Sequence, residues 1–202
     1  MQKEIWPGSA LLAPVPPALV SCGSVEQPAV LTIGWTGIVN TRPPRTYISV
    51  RPERNSYPII KESGEFVINL PTARLTRAVD LCGCRSGRTV DKFALAHLTA
   101  VPASAVGAPL IAECPVSLEC RIFQSIPLGS HEMFLADILA VQVDRALLDA
   151  AGRLCLEKAD LLAYAHGGYF RLGQQLGSFG YSVKKKKKPR PAAPRRAAEK
   201  KR

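Results

Sequence analysis

Apolar and β-branched residues dominate from Ala18 to Thr36, punctuated by Gly23 and Pro28, which predicts two strands over about 18–23 and 29–36. After the Pro43-Pro44 breaker, Arg45-Thr46-Tyr47-Ile48-Ser49-Val50-Arg51 alternates and predicts a third strand. Asn55-Ser56-Tyr57-Pro58 has the character of a helix start, with Ser56 as the cap and Pro58 in the first turn; Gly64 ends the helix. Glu65 to Leu70 predicts a fourth strand, closed by Pro71. Leu75, Ala78, Val79 and Cys82 share one helical face behind a Thr72 cap, and a third helix is expected near Val90. The stretch 99–113 is small, apolar and irregular.

Farther on, Val116, Leu118, Cys120 and Ile122 alternate with Ser117, Glu119 and Arg121, the signature of a half-buried strand. A second long strand returns over about 131–143 after Pro127-Leu128-Gly129-Ser130, so the two pair antiparallel. Strands early and late with helices inserted between predict an α+β fold, mostly β, on an antiparallel barrel or sheet rather than a doubly wound parallel one.

Charge divides the chain. The formal net charge is +11, but residues 184–202 hold 11 Lys/Arg and one acid, so residues 1–183 are close to neutral. We therefore expect a globular domain over 1–183 and a disordered, self-repelling basic tail over 184–202. The tail interleaves its charges with Pro and Ala and carries no aromatics for base stacking. It predicts weak polyanion contact at most, without sequence-specific nucleic-acid recognition.

Leu19-Val20-Ser21-Cys22 imitates the end of a lipoprotein signal, but Pro14, Pro16 and Pro17 interrupt the apolar stretch before it, and a strand is expected instead. No window is long and apolar enough for a membrane span, and the cytoplasm is the expected compartment. The six cysteines are expected to be buried structural thiols, since Cys82-Gly83-Cys84 is too tight for a zinc pair; no metal site is expected.

Two stretches combine hydroxyls, glycines and arginines ahead of helix starts: Ser49 to Tyr57 and Cys82 to Phe93. Free backbone N–H groups and guanidinium forks suit a phosphate there. The usual nucleotide loops G-x-G-x-x-G and G-x-x-x-x-G-K-[ST] are missing, as is a G-x-S-x-G elbow, and the three histidines lack metal spacing.

Thr32-x-x-Trp35-Thr36-Gly37, Arg42-Pro43-Pro44, Ile48-Ser49-Val50-Arg51-Pro52, Ser56-Tyr57 and Ser63-Gly64-Glu65-Phe66-Val67-Ile68-Asn69-Leu70-Pro71 follow in order. Val79-Asp80-x-Cys82-Gly83, Ser86-Gly87-Arg88-x-Val90-Asp91-Lys92-Phe93 and Gly129-Ser130-His131-x-x-Phe134 continue the series. Over about residues 10–175 it resembles the flavin reductase-like, FMN-binding split-barrel family, most closely its flavoredoxin branch. The resemblance implies a six-stranded Greek-key split barrel, a homodimer, and FMN near the subunit interface.

On that resemblance Thr36, Ser49, Arg51, Ser86, Gly87 and Arg88 hold or approach the phosphate, and Trp35 flanks the ring system, with Thr32 and Tyr57 also in the cofactor set. Ser56 donates toward N5, Lys92 and His131 lie near the pyrimidine end, and Tyr164 closes the pocket, Tyr169 and Phe170 being alternatives. Ala29 stands where relatives commonly offer a polar side chain.

The implied function is an FMN oxidoreductase moving electrons from NAD(P)H or a redox partner through the flavin, whose own chemistry the protein only positions and tunes. A different class competes: a non-catalytic barrel working through its basic tail on polyanions.

Overall fold

A computed structural model of the chain describes residues 2–184. The chain divides into two units, Met1–Leu172 and Gly173–Arg202. In the second, the described residues hold one 3-10 turn, Tyr181–Val183. The expected disorder and polyanion contact of the tail fall, apart from Lys184, outside the described residues.

In the first unit, seven strands form one antiparallel sheet: β1 (Ala18–Gly23), β2 (Pro28–Ile33), β3 (Thr36–Thr41), β4 (Pro44–Val50), β5 (Glu65–Leu70), and two long strands, Val116–Pro127 and Glu132–Val143. Two short strands, β6 (Ala100–Val101) and β7 (Leu110–Ile111), pair with each other, so the long strands are β8 and β9. The hairpin β10 (Leu162–Ala165) and β11 (Gly168–Arg171) ends the unit. The order across the main sheet is β2-β1-β5-β8-β9-β4-β3.

That order forces closure. β2 and β3 lie at opposite edges, yet only Gly34 and Trp35 join them. Three residue steps reach at most about 11 Å, whereas six strand spacings of a flat sheet measure about 29 Å. The sheet is therefore rolled until its edges meet, and Ser49 N donates to Trp35 O at 3.0 Å across the seam. The interior is one cluster drawn from both edges and the middle, including Val20, Leu31, Ile48, Phe66, Cys120 and Phe134.

Alternation along β1 and β2 sends Val20 and Leu31 into the barrel and Leu19 and Val30 outward, where helices cover them. These are α2 (Thr76–Cys84) and α3 (Lys92–Ala96), whereas α1 (Ser56–Ser63) packs Ile60 into the barrel cluster. The six strands expected from the pattern all form, and β3 adds a seventh that the pattern did not show, because its side chains are half-buried or exposed throughout. Two helix starts differ from expectation. Asn55, not Ser56, takes the cap position of α1, and Ser56 is its first residue. A 3-10 turn, Ala73–Leu75, follows Thr72 before α2 begins. Asp91 caps α3 by accepting from Ala94 N at 3.1 Å.

Cys22, Cys82, Cys114 and Cys120 are buried free thiols, as expected; Cys84 is exposed and Cys155 half-buried. Cys22 is fully enclosed in β1. No helix among the described residues is long and apolar enough to cross a membrane.

Candidate functional site

Two adjoining hollows open where the seam of the barrel meets α1 and α2. One, of about 390 Å³, has an aromatic rim. Trp35, at the turn between β2 and β3, is 46% exposed although it is a large apolar residue. Its ring meets the His131 imidazole with centroids 4.6 Å apart. Tyr164 and Tyr169 of the β10–β11 hairpin form the opposite rim, 5.3 Å between centroids. Reciprocal 2.9 Å backbone bonds between Val15 and Tyr164 hold the hairpin beside the cleft, and Tyr169 Oη donates to Asp80 Oδ1 at 3.2 Å. Burial and the neighbouring Asp80 carboxylate push the Tyr169 phenol up to about 12, so it remains a donor at neutral pH.

The second hollow, of about 360 Å³, is cationic on balance: Arg51, Arg54, Arg85 and Lys92 line it against the single carboxylate of Glu53, with Asn55, Ser56 and Ser86. It shares Leu31, Arg51 and Arg54 with the aromatic cleft, so the two adjoin. The start of α1 opens onto it, bringing the positive end of a helix and free backbone donors to the arginines. Arg54 is steadied by a 3.0 Å bond from Nη1 to Gly83 O. Among the described residues five ion pairs form, and none involves Arg51, Arg54, Arg85 or Arg88. Unpaired guanidinium groups converging on one hollow suit an anion.

The structure thus gathers most of the residues expected from sequence. Thr32, Trp35, Ser49, Arg51, His131 and Tyr164 line the aromatic cleft. Arg51 continues into the cationic one, where Ser56, Ser86, Gly87 and Lys92 also lie. Thr32 is held by its hydroxyl donating to Val79 O at 2.5 Å.

Others stand apart. Arg88 lines a third hollow with Gly87 and Lys92. Thr36 turns its hydroxyl to Tyr47 O at 2.6 Å, bracing β3 on β4, and lines neither hollow. Tyr57 packs on Phe134 and bonds the Glu132 carboxylate, which Lys61 also meets at 3.0 Å. His131 and Lys92 line different hollows.

Lys92 is only 7% exposed, and its ammonium donates to Val30 O at 3.0 Å and Cys82 O at 2.8 Å, tying α3 to β2 and α2. Burial holds its pKa below the ordinary lysine value. His131 is likewise held below its ordinary value, first by burial and then by Arg51 and Arg54, against Glu53, so the imidazole is neutral at neutral pH. Ser130 Oγ lies 2.9 Å from its Nδ1.

Arg54, Asn55 and Arg85 went unselected from sequence, although they lie inside the two polar stretches singled out there. The resemblance led to Arg51 and Arg88; Arg54 and Arg85 join Arg51 on the hollow, while Arg88 lines the third.

The chain matches the flavin reductase like domain over residues 11–173, and it belongs to the flavin reductase-like family. Within it, similarity to flavoredoxins is strong. The structure of flavoredoxin from Desulfovibrio vulgaris (Miyazaki F) superposes with a TM-score of 0.83 at 30% identity, covering 91% of this chain and 100% of that one. Flavoredoxin from Methanosarcina acetivorans gives 0.81 at 25% identity with the same coverage. The FMN reductase (NADH) RutF of Stutzerimonas stutzeri is 29% identical over 105 residues, 51% of this chain and 57% of its own length. The chain's class is accordingly that of the flavin oxidoreductases.

Proposed function

We propose that this chain is an FMN-dependent oxidoreductase that takes reducing equivalents from NAD(P)H or a redox protein and passes them on through the flavin. One observation carries the reading: an aromatic-rimmed cleft adjoins an arginine-lined one, with Leu31, Arg51 and Arg54 lining both. A flat ring system joined to a phosphate by a short polar chain has that sequence of properties.

The residues present fit the group. Arg51, Arg54 and Arg85 would hold the phosphate, with Ser86 and the start of α1 supplying neutral donors. Trp35 and Tyr164 would flank the ring and keep water from it. The neutral His131 offers a hydrogen-bonding nitrogen without a full charge. Lys92 fixes a positive charge behind the cleft by bonding two backbone carbonyls. FMN, when bound, supplies one- and two-electron transfer; the protein places it, screens it and sets the field around it.

The active species is proposed to be a homodimer. Ile38 and Val39 on β3, Phe123 on β8 and Leu139 on β9 are exposed apolar side chains that a second copy would cover.

Purified protein is expected to carry or bind FMN with the yellow absorbance of a flavin. Rapid anaerobic mixing with NADH and NADPH is expected to bleach it. Protein that retains no flavin and binds none at micromolar concentration defeats the reading; bound flavin that neither nucleotide reduces leaves a redox protein as the donor.

A further inference from the structure

A shallow hollow of about 450 Å³ lies on the outer side of α2, lined by Arg77, Asp80, Leu81, Cys84 and Arg85. Asp80 and Cys84 also line the aromatic cleft, and Arg85 the arginine-lined hollow. The end of α2 is therefore the wall between this outer face and the proposed cofactor site. Helical spacing explains the division. Ala78, Val79 and Cys82 are buried, which leaves Arg77, Leu81 and Arg85, spaced four apart, along the outer side.

The face is strongly basic. Residues 72–90 hold four arginines and one acid, whereas the rest of residues 1–183 carries two more acids than bases. Arg74, Arg77, Arg85 and Arg88 are exposed, and none of them enters an ion pair among the described residues. Outside the basic tail, positive charge is thus concentrated beside the clefts and free to meet charge on another molecule. Half-buried Leu81 between two guanidinium groups gives an apolar centre with a cationic rim, the anatomy of a protein contact. A nucleic acid fits less well. Asp80 sits among the arginines and repels a continuous phosphate backbone, whereas a protein can set a donor opposite it.

We propose that this face docks an acidic one-electron carrier protein, whose carboxylates meet Arg74, Arg77 and Arg85 and whose redox group faces the flavin across α2. The proposal names the redox protein of the proposed function and its seat, and it rests on the reading that the flavin ring occupies the aromatic cleft. The electron count closes with two carriers. Each gives one electron, two protons come from solvent, and FMN becomes its two-electron reduced form. Charge complementarity of this kind steers association and suppresses wrong partners.

The test uses the full chain and, as probe, a plant-type ferredoxin, an acidic one-electron iron–sulfur protein. Oxidised ferredoxin is titrated by calorimetry into wild type, Arg77→Glu and Arg145→Glu, and reduced ferredoxin is then mixed rapidly with each FMN-loaded protein. Arg77 lines neither hollow assigned to FMN and stands in the first turn of α2, where a carboxylate suits the helix dipole. Arg145, exposed after β9, makes the same charge change away from all three hollows. The basic tail is common to all three proteins, so the difference between the two variants is what counts. Arg77→Glu is expected to weaken ferredoxin binding and slow flavin reduction by about tenfold at low salt. Arg145→Glu is expected to change either by less than about twofold, and salt of about 0.5 M to erase the difference. FMN affinity should stay the same in both.

Equal effects of the two variants, or no effect of either, overturn the inference and leave the proposed function standing. Ferredoxin that binds through Arg77 without reducing the flavin overturns it as well. If duplex DNA loses binding in Arg77→Glu and ferredoxin does not, the face is a nucleic-acid contact and no carrier docks there. If no FMN binds to the wild type, the reading of the clefts falls, and this inference with it.

Discussion

Two regions of the same barrel treat polar groups in opposite ways. Under the 99–113 loop, polar side chains are buried and fully used. Asn69 donates to Leu19 O and Ser21 Oγ, both at 2.9 Å, while its Oδ1 accepts from Ile111 N and Ser117 Oγ at 3.0 and 2.8 Å. Glu119 is completely buried and accepts from Ser104, Ala105 and Gln142. At the seam, by contrast, Arg51, Arg54 and Arg85 converge on a hollow without forming an ion pair, although Glu53 also lines it. The first region spends its polar groups on holding a loop to the sheet; the second keeps them for a ligand. Losses in the first should therefore appear as stability and losses in the second as binding.

The largest expected effect is on the structural side. Glu119→Ala strands two backbone N–H groups and the Gln142 amide, and should cost about 3 kcal/mol in urea unfolding. The carboxyl also sets a pH dependence. Burial alone would raise its pKa, but the bonds from Gln142, Ala105 and Ser104 outweigh it and hold the value below the ordinary 4.5. A folded value below the unfolded one gives stability that is complete above the unfolded value and is lost as pH falls through the folded one. Unfolding midpoints taken from neutral pH downward should fall below 4.5, and Glu119→Gln should remove its share of that fall. Unchanged acid sensitivity in Glu119→Gln would mean that the carboxylate is not the anchor.

On the binding side, Arg51→Ala and Arg54→Ala should each weaken FMN by about tenfold to a hundredfold, the worth of a charge-assisted hydrogen bond. Their unfolding free energies should stay within about 0.5 kcal/mol of wild type. A destabilised Arg51→Ala protein would erase the contrast between the regions. Trp35→Ala should be milder, a loss of about 1 kcal/mol in FMN affinity, read by the same titration.

The smallest effect is kinetic. Burial pushes Cys22, Cys114 and Cys120 up to about 12 and Cys82 to about 11, so these thiols should resist a disulfide reagent in the native protein. Cys84 is exposed on the wall of the aromatic cleft. It should react first, and FMN should slow it; reaction at an unchanged rate would place the ring elsewhere.

The same contrast marks what was legible in the sequence. β4 and β8 follow from alternation, because each has one face on the barrel core, whereas β1 and β5 stand out as apolar runs buried on both faces. The reading carried β2 through to Thr36, whereas the strand stops at Ile33 and β3 starts at Thr36. That break exists because the chain crosses there from one sheet edge to the other, a tertiary event that local pattern does not encode. Glu119 alternated as a solvent-facing polar residue and is instead roofed by the 99–113 loop; period two identifies a face but not what covers it. The β10–β11 hairpin turns through His166 and Gly167, both at positive φ, and its strands are too short to stand out.

At the site, ordered motifs led to Trp35, Arg51 and Ser86, whereas Arg54 and Arg85 meet only because α1 and the end of α2 approach the same seam. Thr36 and Tyr57 belong to the same motifs yet brace strands rather than line the hollows.

The most direct measurement compares FMN with riboflavin, the same ring without its phosphate, in binding to the full chain and to the Arg51→Ala/Arg54→Ala double variant. If the arginines hold the phosphate, the wild type should prefer FMN by about a hundredfold or more, from two charge-assisted contacts, and the double variant should lose most of that preference. Equal binding of riboflavin and FMN by the wild type would contradict the assignment of the arginine-lined hollow as the phosphate site.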